Sequence, residues 1–342
     1  MIDSRPVLAL TIGDPAGIGP EIVAKALAVT GPRTAMRPLV IGDGRVMEAV
    51  IAGCGLDLAL RPVAGPGEVT GEPGTLEILD LANVKDHEFG VVDGAFGKAA
   101  VEYVETACAL ARDGAVQAVV TAPINKEAIR AGGSSFPGHT EMIAALFGTP
   151  EDRVFTVFLL EQLRIFFLTR HRSLVETITR IDEAAVVSAL VEVRRLSPQL
   201  GLESPRLALA ALNPHAGENG LLGHEENDIL KPAIERARSL GIDVAGPIPA
   251  DAVFYQCRQG RYDAVLSLYH DQGHVAAKTV DFYGTVSCTL GYPVIRTSVD
   301  HGTAFDIAGR WIAEARGQVA AMKVAAELAP AVLAAQASAK LG

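Results

Sequence analysis

Short apolar runs rich in Val, Ile and Leu alternate with longer amphipathic stretches from one end of the chain to the other. The runs Val7–Ile12, Pro38–Ile41, Ala118–Thr121, Val154–Leu160, Arg164–Thr169, Arg206–Leu212 and Ala264–Leu268 predict strands. Helical spacing of apolar positions predicts helices over Pro20–Ala28, Ala95–Asp113, Ile181–Leu196, Glu226–Leu240 and Glu314–Ala335. Apolar strands separated by helices predict a mostly parallel sheet covered on both faces. Glu161-Gln162 sits between two apolar runs as a hairpin turn, so an antiparallel element is expected within that sheet. The Pro- and Gly-punctuated segment Arg61–Gly74 predicts an irregular loop. No internal repeat is visible, and only the Ala-rich C-terminal helix approaches low complexity.

Composition narrows the class. Among 342 residues, 49% are hydrophobic and 20% charged, which excludes disorder, collagen and coiled coil for the bulk of the chain. Aromatics are only 5%, with 34 Gly and 19 Pro, a balance that suits α/β layers with tight turns better than an aromatic-rich β-sandwich. Lys and Arg number 30 against 40 Asp and Glu, a net charge of −10 with no basic run. Nucleic acid and anionic lipid are therefore not expected partners. An anionic small molecule needs only two or three local cations. Cys54, Cys108, Cys257 and Cys288 are far apart without CxxC spacing, as expected of thiols in a reducing compartment. The apolar run Val7–Ile12 is cut short by Gly13-Asp14-Pro15, so no signal peptide develops, and no stretch is expected to reach the roughly 18 apolar residues of a membrane span. The expected location is cytoplasmic.

Polar motifs cluster where predicted strands end, the place where α/β folds bind ligands. Gly13-Asp14-Pro15-Ala16-Gly17-Ile18-Gly19-Pro20-Glu21 joins a strand to a helix, with glycines that permit close backbone approach to a ligand. It matches neither GxGxxG nor a P-loop. Thr121-Ala122-Pro123-Ile124-Asn125-Lys126 is followed by Phe136-Pro137-Gly138-His139-Thr140-Glu141, in which His139 and Thr140 open a helical pattern suited to an anion. His171, His215 and His270 each follow an apolar strand, at spacings of 44 and 55 residues. Three imidazoles converging on one site suit Zn²⁺, Co²⁺ or Fe²⁺. His270 and His274 form a rival chelating pair at i, i+4, and Asp271 is placed to orient an imidazole or act as a base. Lys278 and Arg296 make a possible clamp for a phosphate or carboxylate.

Taken in order, GDPAGIGPE, TAPINKEAI, FPGHTE, LTRHRSL, LNPHAGENGLLGHEE, GPIPAD, YHDQGH and TLGYPVIRTSVDHGTAFDIAG resemble the 4-hydroxythreonine-4-phosphate dehydrogenase family of pyridoxal phosphate biosynthesis, related to the isocitrate and isopropylmalate dehydrogenases. The resemblance runs from Gly13 to Gly309. It implies an α/β, two-domain isocitrate/isopropylmalate dehydrogenase-like fold with mixed, mostly parallel sheets and a cleft between domains. The expected division is residues 1–130 with 290–342 as a cofactor-side domain, and 131–289 as the metal, substrate and dimerisation domain. It further implies a homodimer with shared active sites, one divalent metal (Zn, Mg or Co) on His171, His215 and His270, and NAD or NADP as cofactor. Substrate ligands would be His139, Thr140, Lys278, Ser287 and Arg296. Cofactor residues would be Asp14, Gly17, Gly19, His301, Gly302, Thr303 and Asp306. Asp251, Asp271 and Lys278 are the expected catalytic groups.

The reaction implied is NAD(P)-dependent oxidation with β-decarboxylation of 4-hydroxythreonine 4-phosphate, giving 3-amino-2-oxopropyl phosphate. Two departures widen the substrate: Ser287 stands where the family usually has Asn, and His274 where biosynthetic members commonly have an apolar residue. A paralogue acting on D-threonate or D-erythronate 4-phosphate, or on an aromatic cis-dihydrodiol carboxylate, is the alternative within the family. From other classes, a metal-dependent hydrolase or a non-catalytic binder of phosphorylated metabolites uses the same histidines or cations differently.

Overall fold

The computed structural model describes residues 3–29 and 31–339; Met1 and Ile2 of the opening segment lie outside them, as does the side chain of Ala335. The chain divides into two compact units, Met1–Val154 with Gly291–Gly342, and Phe155–Leu290. The first boundary falls after residue 154 rather than 130. The reason is apolar packing: Met142, Ile143 and Ala144 share a buried cluster with Val104, Cys108, Val154 and Tyr292, which holds 131–154 to the first unit.

In the first unit the strands are β1 (Val7–Thr11), β2 (Arg37–Gly42), β3 (Ala59–Pro62), β4 (Thr75–Asp80) and β5 (Ala118–Thr121). The chain returns to it after the second unit as β12 (Ile295–Ser298). Their order is β3-β4-β2-β1-β5-β12, and every pairing is parallel. The helices are α1 (Gly19–Ala28), α2 (Gly44–Cys54), α3 (Gly94–Arg112), α4 (Lys126–Ala131) and α5 (His139–Phe147), with α11 (Arg316–Ala339) at the end of the chain. Strands β1 and β5 are buried throughout, as expected of central parallel strands read from unbroken apolar runs. Asp43, Asp93 and Asn125 cap α2, α3 and α4 by accepting first-turn backbone N–H bonds.

The second unit holds β6 (Phe155–Leu160), β7 (Leu163–Phe167), β8 (Leu207–Ala210), β9 (Val244–Ile248), β10 (Ala264–Ser267) and β11 (Val286–Leu290), in the order β11-β6-β7-β10-β8-β9. The β6–β7 hairpin turns at Glu161-Gln162 as predicted, with Glu161 at φ 52°, and β11 joins it antiparallel; β7, β10, β8 and β9 run parallel. Its helices are α6 (Leu174–Thr179), α7 (Glu183–Leu196), α8 (Lys231–Ser239), α9 (Ala250–Arg258) and α10 (His270–Val280).

Three expectations need correction. The loop Arg61–Gly74 begins inside β3, and its irregular remainder is fastened by buried Glu77, which accepts from Thr70 N (3.0 Å), Gly71 N (2.8 Å) and the Arg61 guanidinium. Glu226–Leu240 is helical to Ser239 but not uniformly α: Glu226–Leu230 winds as a π turn, and α8 continues from Lys231 with Pro232 in its first turn. The chain does contain a helix, Arg316–Ala334, long and apolar enough to cross a membrane by length and composition. It packs on β12, β5 and α1, and Ala321 O accepts the Thr297 hydroxyl at 2.9 Å, as in the core helix of an α/β unit. The four cysteines are free thiols, as expected.

Helices α3 and α4 touch through glycine. A Cβ on Gly97 would stand 2.0 Å from Ala128 O, so only Gly permits the approach that sets α4 in place. Gly97→Ala is expected to lower unfolding free energy by roughly 1–3 kcal/mol despite the better helix propensity of Ala. Urea denaturation measures this, and an unchanged midpoint would show that α4 shifts at no cost.

Candidate active site

Each unit gathers its polar chemistry at the carboxyl ends of parallel strands. In the first unit, Arg296 on β12 is 5% exposed, and its Nε and Nη2 donate to Thr121 Oγ1 on β5 at 3.1 and 2.6 Å. His139 is the first residue of α5, whose N-cap, Gly138, offers no side-chain bond to the first-turn N–H groups. Thr140 is half-buried, its carbonyl taking the Tyr292 hydroxyl at 2.8 Å. His139 Nε2 is sealed from solvent without a hydrogen-bond partner, and burial, with the Arg296 charge second, holds the ring's pKa well below the usual imidazole range. His139 is therefore neutral. A pocket of about 130 Å³ opens beside Arg296 and His139, bordered also by Thr121, Lys126, Ser298 and His301.

The two segments expected to hold the cofactor meet each other in this unit. Ile18 N donates to Thr303 O at 3.0 Å, and Cβ atoms on Gly17 and Gly19 would lie 3.0 Å from Thr303 Cβ and 2.2 Å from Ile12 O. Here these glycines serve approach of the chain to itself. Asp14 is buried, its Oδ1 accepting from Ala16 N at 2.9 Å, and Thr303 is buried too; His301 is half-buried, and Gly302 and Asp306 are exposed. Burial pushes the Asp14 carboxyl up to about 6, against the backbone N–H bonds of Ala16 and Asn125.

In the second unit, His171, His215 and His270 follow β7, β8 and β10, three neighbouring parallel strands. His171 and His270 rings lie 5.7 Å apart between centroids. Among the described residues no three His, Cys, Asp or Glu side chains form one metal-holding group. The donor chemistry nonetheless fits a divalent metal. Asp271 Oδ1 takes His270 Nδ1 at 2.7 Å and Glu218 Oε1 takes His215 Nδ1 at 2.8 Å, the outer carboxylate bond that leaves Nε2 for a ligand. His171 and His215 also hold left-handed backbone, φ 54° and 53°, a conformation that costs a non-Gly residue about 1 kcal/mol or more and that gathers at functional sites. A second cavity, about 430 Å³, is bordered by Arg170, His171, Thr177, Tyr269, His270 and Asp271.

The rival pair does not chelate. His274 stacks flat on His270, centroids 3.5 Å apart and planes 13° apart, and its Nδ1 bonds His270 O at 2.8 Å. In-plane lone pairs of stacked rings run side by side and do not converge on an ion. Asp271 orients His270 and is exposed; Asp251, also exposed, lies in the first turn of α9. Lys278 Nζ lies 5.1 Å over the Phe282 ring, and half-buried Ser287 pairs with Phe158 across β11 and β6.

Three functional supports went unread in the sequence. Gln272, buried on α10, donates to Ala211 O (2.8 Å) beyond β8 and accepts from Leu268 N (2.8 Å) and Ser267 Oγ (3.1 Å) of the β10 end. Buried Glu226 accepts from Leu212 N, Asn213 N and Asn213 Nδ2 at 2.7–2.9 Å, fastening the start of the His215 loop. Lys126 borders the first unit's pocket. The GENGLLGHEE and YHDQGH motifs carry the first two, and only strand adjacency reveals their use.

An α/β chain with a buried guanidinium in one unit and imidazoles after parallel strands in the other has the layout of open-sheet enzymes, whose ligands bind at strand ends. Residues 34–325 match the Pyridoxal phosphate biosynthetic protein PdxA family, to which the chain belongs, and it is an oxidoreductase. The D-threonate 4-phosphate dehydrogenase of Cupriavidus necator is 45% identical over 331 residues, 96% of this chain and 99% of that one. A Symbiobacterium thermophilum protein to which the same activity is provisionally given is 48% identical over 332 residues, covering 96% and 98%. The crystal structure of 4-hydroxythreonine-4-phosphate dehydrogenase from Klebsiella pneumoniae superposes with a TM-score of 0.87 at 39% identity, covering 95% of this chain and all of that one.

The raised Asp14 carboxyl makes stability depend on pH. Between about pH 4 and 6 the folded chain keeps a proton that the unfolded chain has released, so this group's contribution to stability falls as pH rises through that window. Asp14→Asn removes the titration and is expected to gain on the wild type by roughly 2–3 kcal/mol across it. Denaturant midpoints at pH 4, 5, 6 and 7 test this; a constant difference between the two proteins would place the proton elsewhere.

Proposed function

We propose that this chain is an NAD(P)-dependent, divalent-metal-dependent dehydrogenase of D-threonate 4-phosphate, with 4-hydroxythreonine 4-phosphate a poorer substrate. The observation that carries the choice is Ser287, a single short hydroxyl where Asn has both an amide donor and a carbonyl acceptor. The higher identity to relatives named for D-threonate 4-phosphate, 45% and 48% against 39%, points the same way.

Oxidation of the C3 alcohol removes its C–H hydride and gives its hydroxyl proton to a base. The resulting β-keto acid breaks its C1–C2 bond, carbon dioxide leaves, and C2 takes a proton to give dihydroxyacetone phosphate. NAD(P), when bound, accepts the hydride, and the divalent ion, when bound, supplies Lewis acidity to the reacting oxygens. His171, His215 and His270 would hold the ion, with Asp271 and Glu218 fixing the tautomers of two of them. Because Asp271 is committed to His270, Asp251 and Lys278 are the groups assigned to proton transfer. Arg296, His139 and Thr140 bind the phosphate, and Ser287 faces the carbon chain. His301, Gly302 and Asp306 contact the cofactor, on loops shaped by Asp14, Gly17, Gly19 and Thr303.

The ion is zinc, magnesium or cobalt, and the enzyme is a cytoplasmic homodimer. Free thiols support a reducing compartment. Most exposed large apolar side chains, among them Leu174, Val175, Ile178, Leu221 and Phe282, lie in the second unit, which supports its use as the self-contact.

NAD(P)H appearance with D-threonate, D-erythronate and hydroxythreonine 4-phosphates tests the reading. Metal-replete protein is expected to favour D-threonate 4-phosphate in kcat/KM by about tenfold, the worth of one buried hydrogen bond near a charge, and Ser287→Asn to narrow or reverse the order. Chelation should abolish turnover. No reduction of either nucleotide with any of the three acids would overturn the proposal.

A further inference from the structure

We infer that Lys126 is a further phosphate-binding residue, so that the pocket of the first unit forms a dianion subsite in which Lys126 joins Arg296 and His139. This rests on the reading above for the identity of the anion, and on the pocket alone for its charge.

The chain carries ten more acids than bases, yet not one of the residues bordering this 130 Å³ pocket is an Asp or Glu. Two are cations, Arg296 and Lys126, and two are histidines, His139 and His301. By liquid volume the space equals about four waters, enough for one phosphoryl group with a water or two. Arg296 is buried, and its guanidinium also donates to the Thr121 hydroxyl, which fixes its place beside the pocket. His139 is neutral, so its sealed Nε2 supplies a hydrogen bond but no charge. A phosphate monoester near neutral pH carries close to two negative charges. Arg296 answers one of them.

Lys126 supplies the second. It is the first residue of α4, set there by the Asn125 cap and by the close α3–α4 contact at Gly97. Its side chain is exposed. Its Cε lies 3.8 Å from where a Cβ on Gly138 would stand, so the ammonium stem runs beside the residue that opens α5. Glu141, in the first turn of α5, also packs near Gly138 without bordering the pocket. An ammonium on a flexible stem, a fixed guanidinium fork and first-turn N–H groups are complementary donors for a tetrahedral dianion.

The test uses the full-length protein and two readouts. Titration calorimetry with inorganic phosphate is expected to show wild-type binding that weakens about tenfold in Lys126→Met, is restored in Lys126→Arg, and loses part of its salt dependence in Lys126→Met. With D-threonate 4-phosphate, Lys126→Met should raise KM about tenfold while kcat changes less than threefold and KM for NAD stays put. Equal phosphate affinity in wild type and Lys126→Met overturns the inference. A rise confined to the KM for NAD assigns the cation to the cofactor and overturns it as well. A wild type inactive on every phosphorylated acid, with phosphate affinity still dependent on Lys126, sinks the substrate assignment and leaves the subsite standing.

Discussion

The carboxamide of Gln272 is the point on which the second unit's chemistry depends. Parallel strands that end at one sheet edge leave backbone donors and acceptors there that must be paired when buried. Gln272 Nε2 donates to Ala211 O at the end of β8, and Gln272 Oε1 accepts from Leu268 N and Ser267 Oγ at the end of β10. The tie continues to β7 through Leu168 N to Ser267 O (2.8 Å) and the Thr169 hydroxyl to Leu268 O (2.8 Å). The three strand ends so fastened are the ones from which His171, His215 and His270 emerge. Glu226 then holds the Leu212-Asn213 backbone, and Asp271 and Glu218 hold two of the rings.

The first unit meets a different demand with the same architecture. Its register pairs Ser298 with Thr121 and Arg296 with Val119, so a guanidinium from β12 reaches the hydroxyl that closes β5. The Asp14 loop is drawn onto Pro123 O by Asp14 N at 2.9 Å, and a Cβ on Gly13 would fall 2.2 Å from that oxygen, at φ 71°. The described residues that border this unit's pocket include no carboxylate, although the chain carries a net charge of −10.

Much of this was legible in the residues and some was not, for definite reasons. Unbroken apolar runs mark strands buried on both faces, so β1, β5, β6 and β10 were found to within a residue or so. β4, β11 and β12 (TLEILD, VSCTL and IRTS) were missed because buried Glu77, Thr289, Arg296 and Thr297 interrupt their apolar pattern; Arg296 and Thr297 find Thr121 and Ala321 far along the chain. The His-after-strand pattern located His171 and His270 because that signal is local. Gln272, Glu226 and Lys126 carry no such signal; their roles follow from β7-β10-β8 adjacency and from α3–α4 contact, which periodicity does not encode. The glycines of the first loop were read as ligand-facing because a short Gly-rich turn looks the same whether it meets a ligand or its own chain.

The account stands or falls on whether tying the strand ends is what prepares the histidines for metal. The direct measurement is the Co²⁺ affinity of Gln272→Ala, read by calorimetry and by the visible absorption of bound Co²⁺, beside wild type and His270→Ala. All three histidines remain in Gln272→Ala, yet its affinity is expected to fall roughly 10- to 100-fold, as for loss of an outer support, with the wild-type spectrum at saturation. A Gln272→Ala protein that is folded and binds Co²⁺ as tightly as wild type would contradict the account.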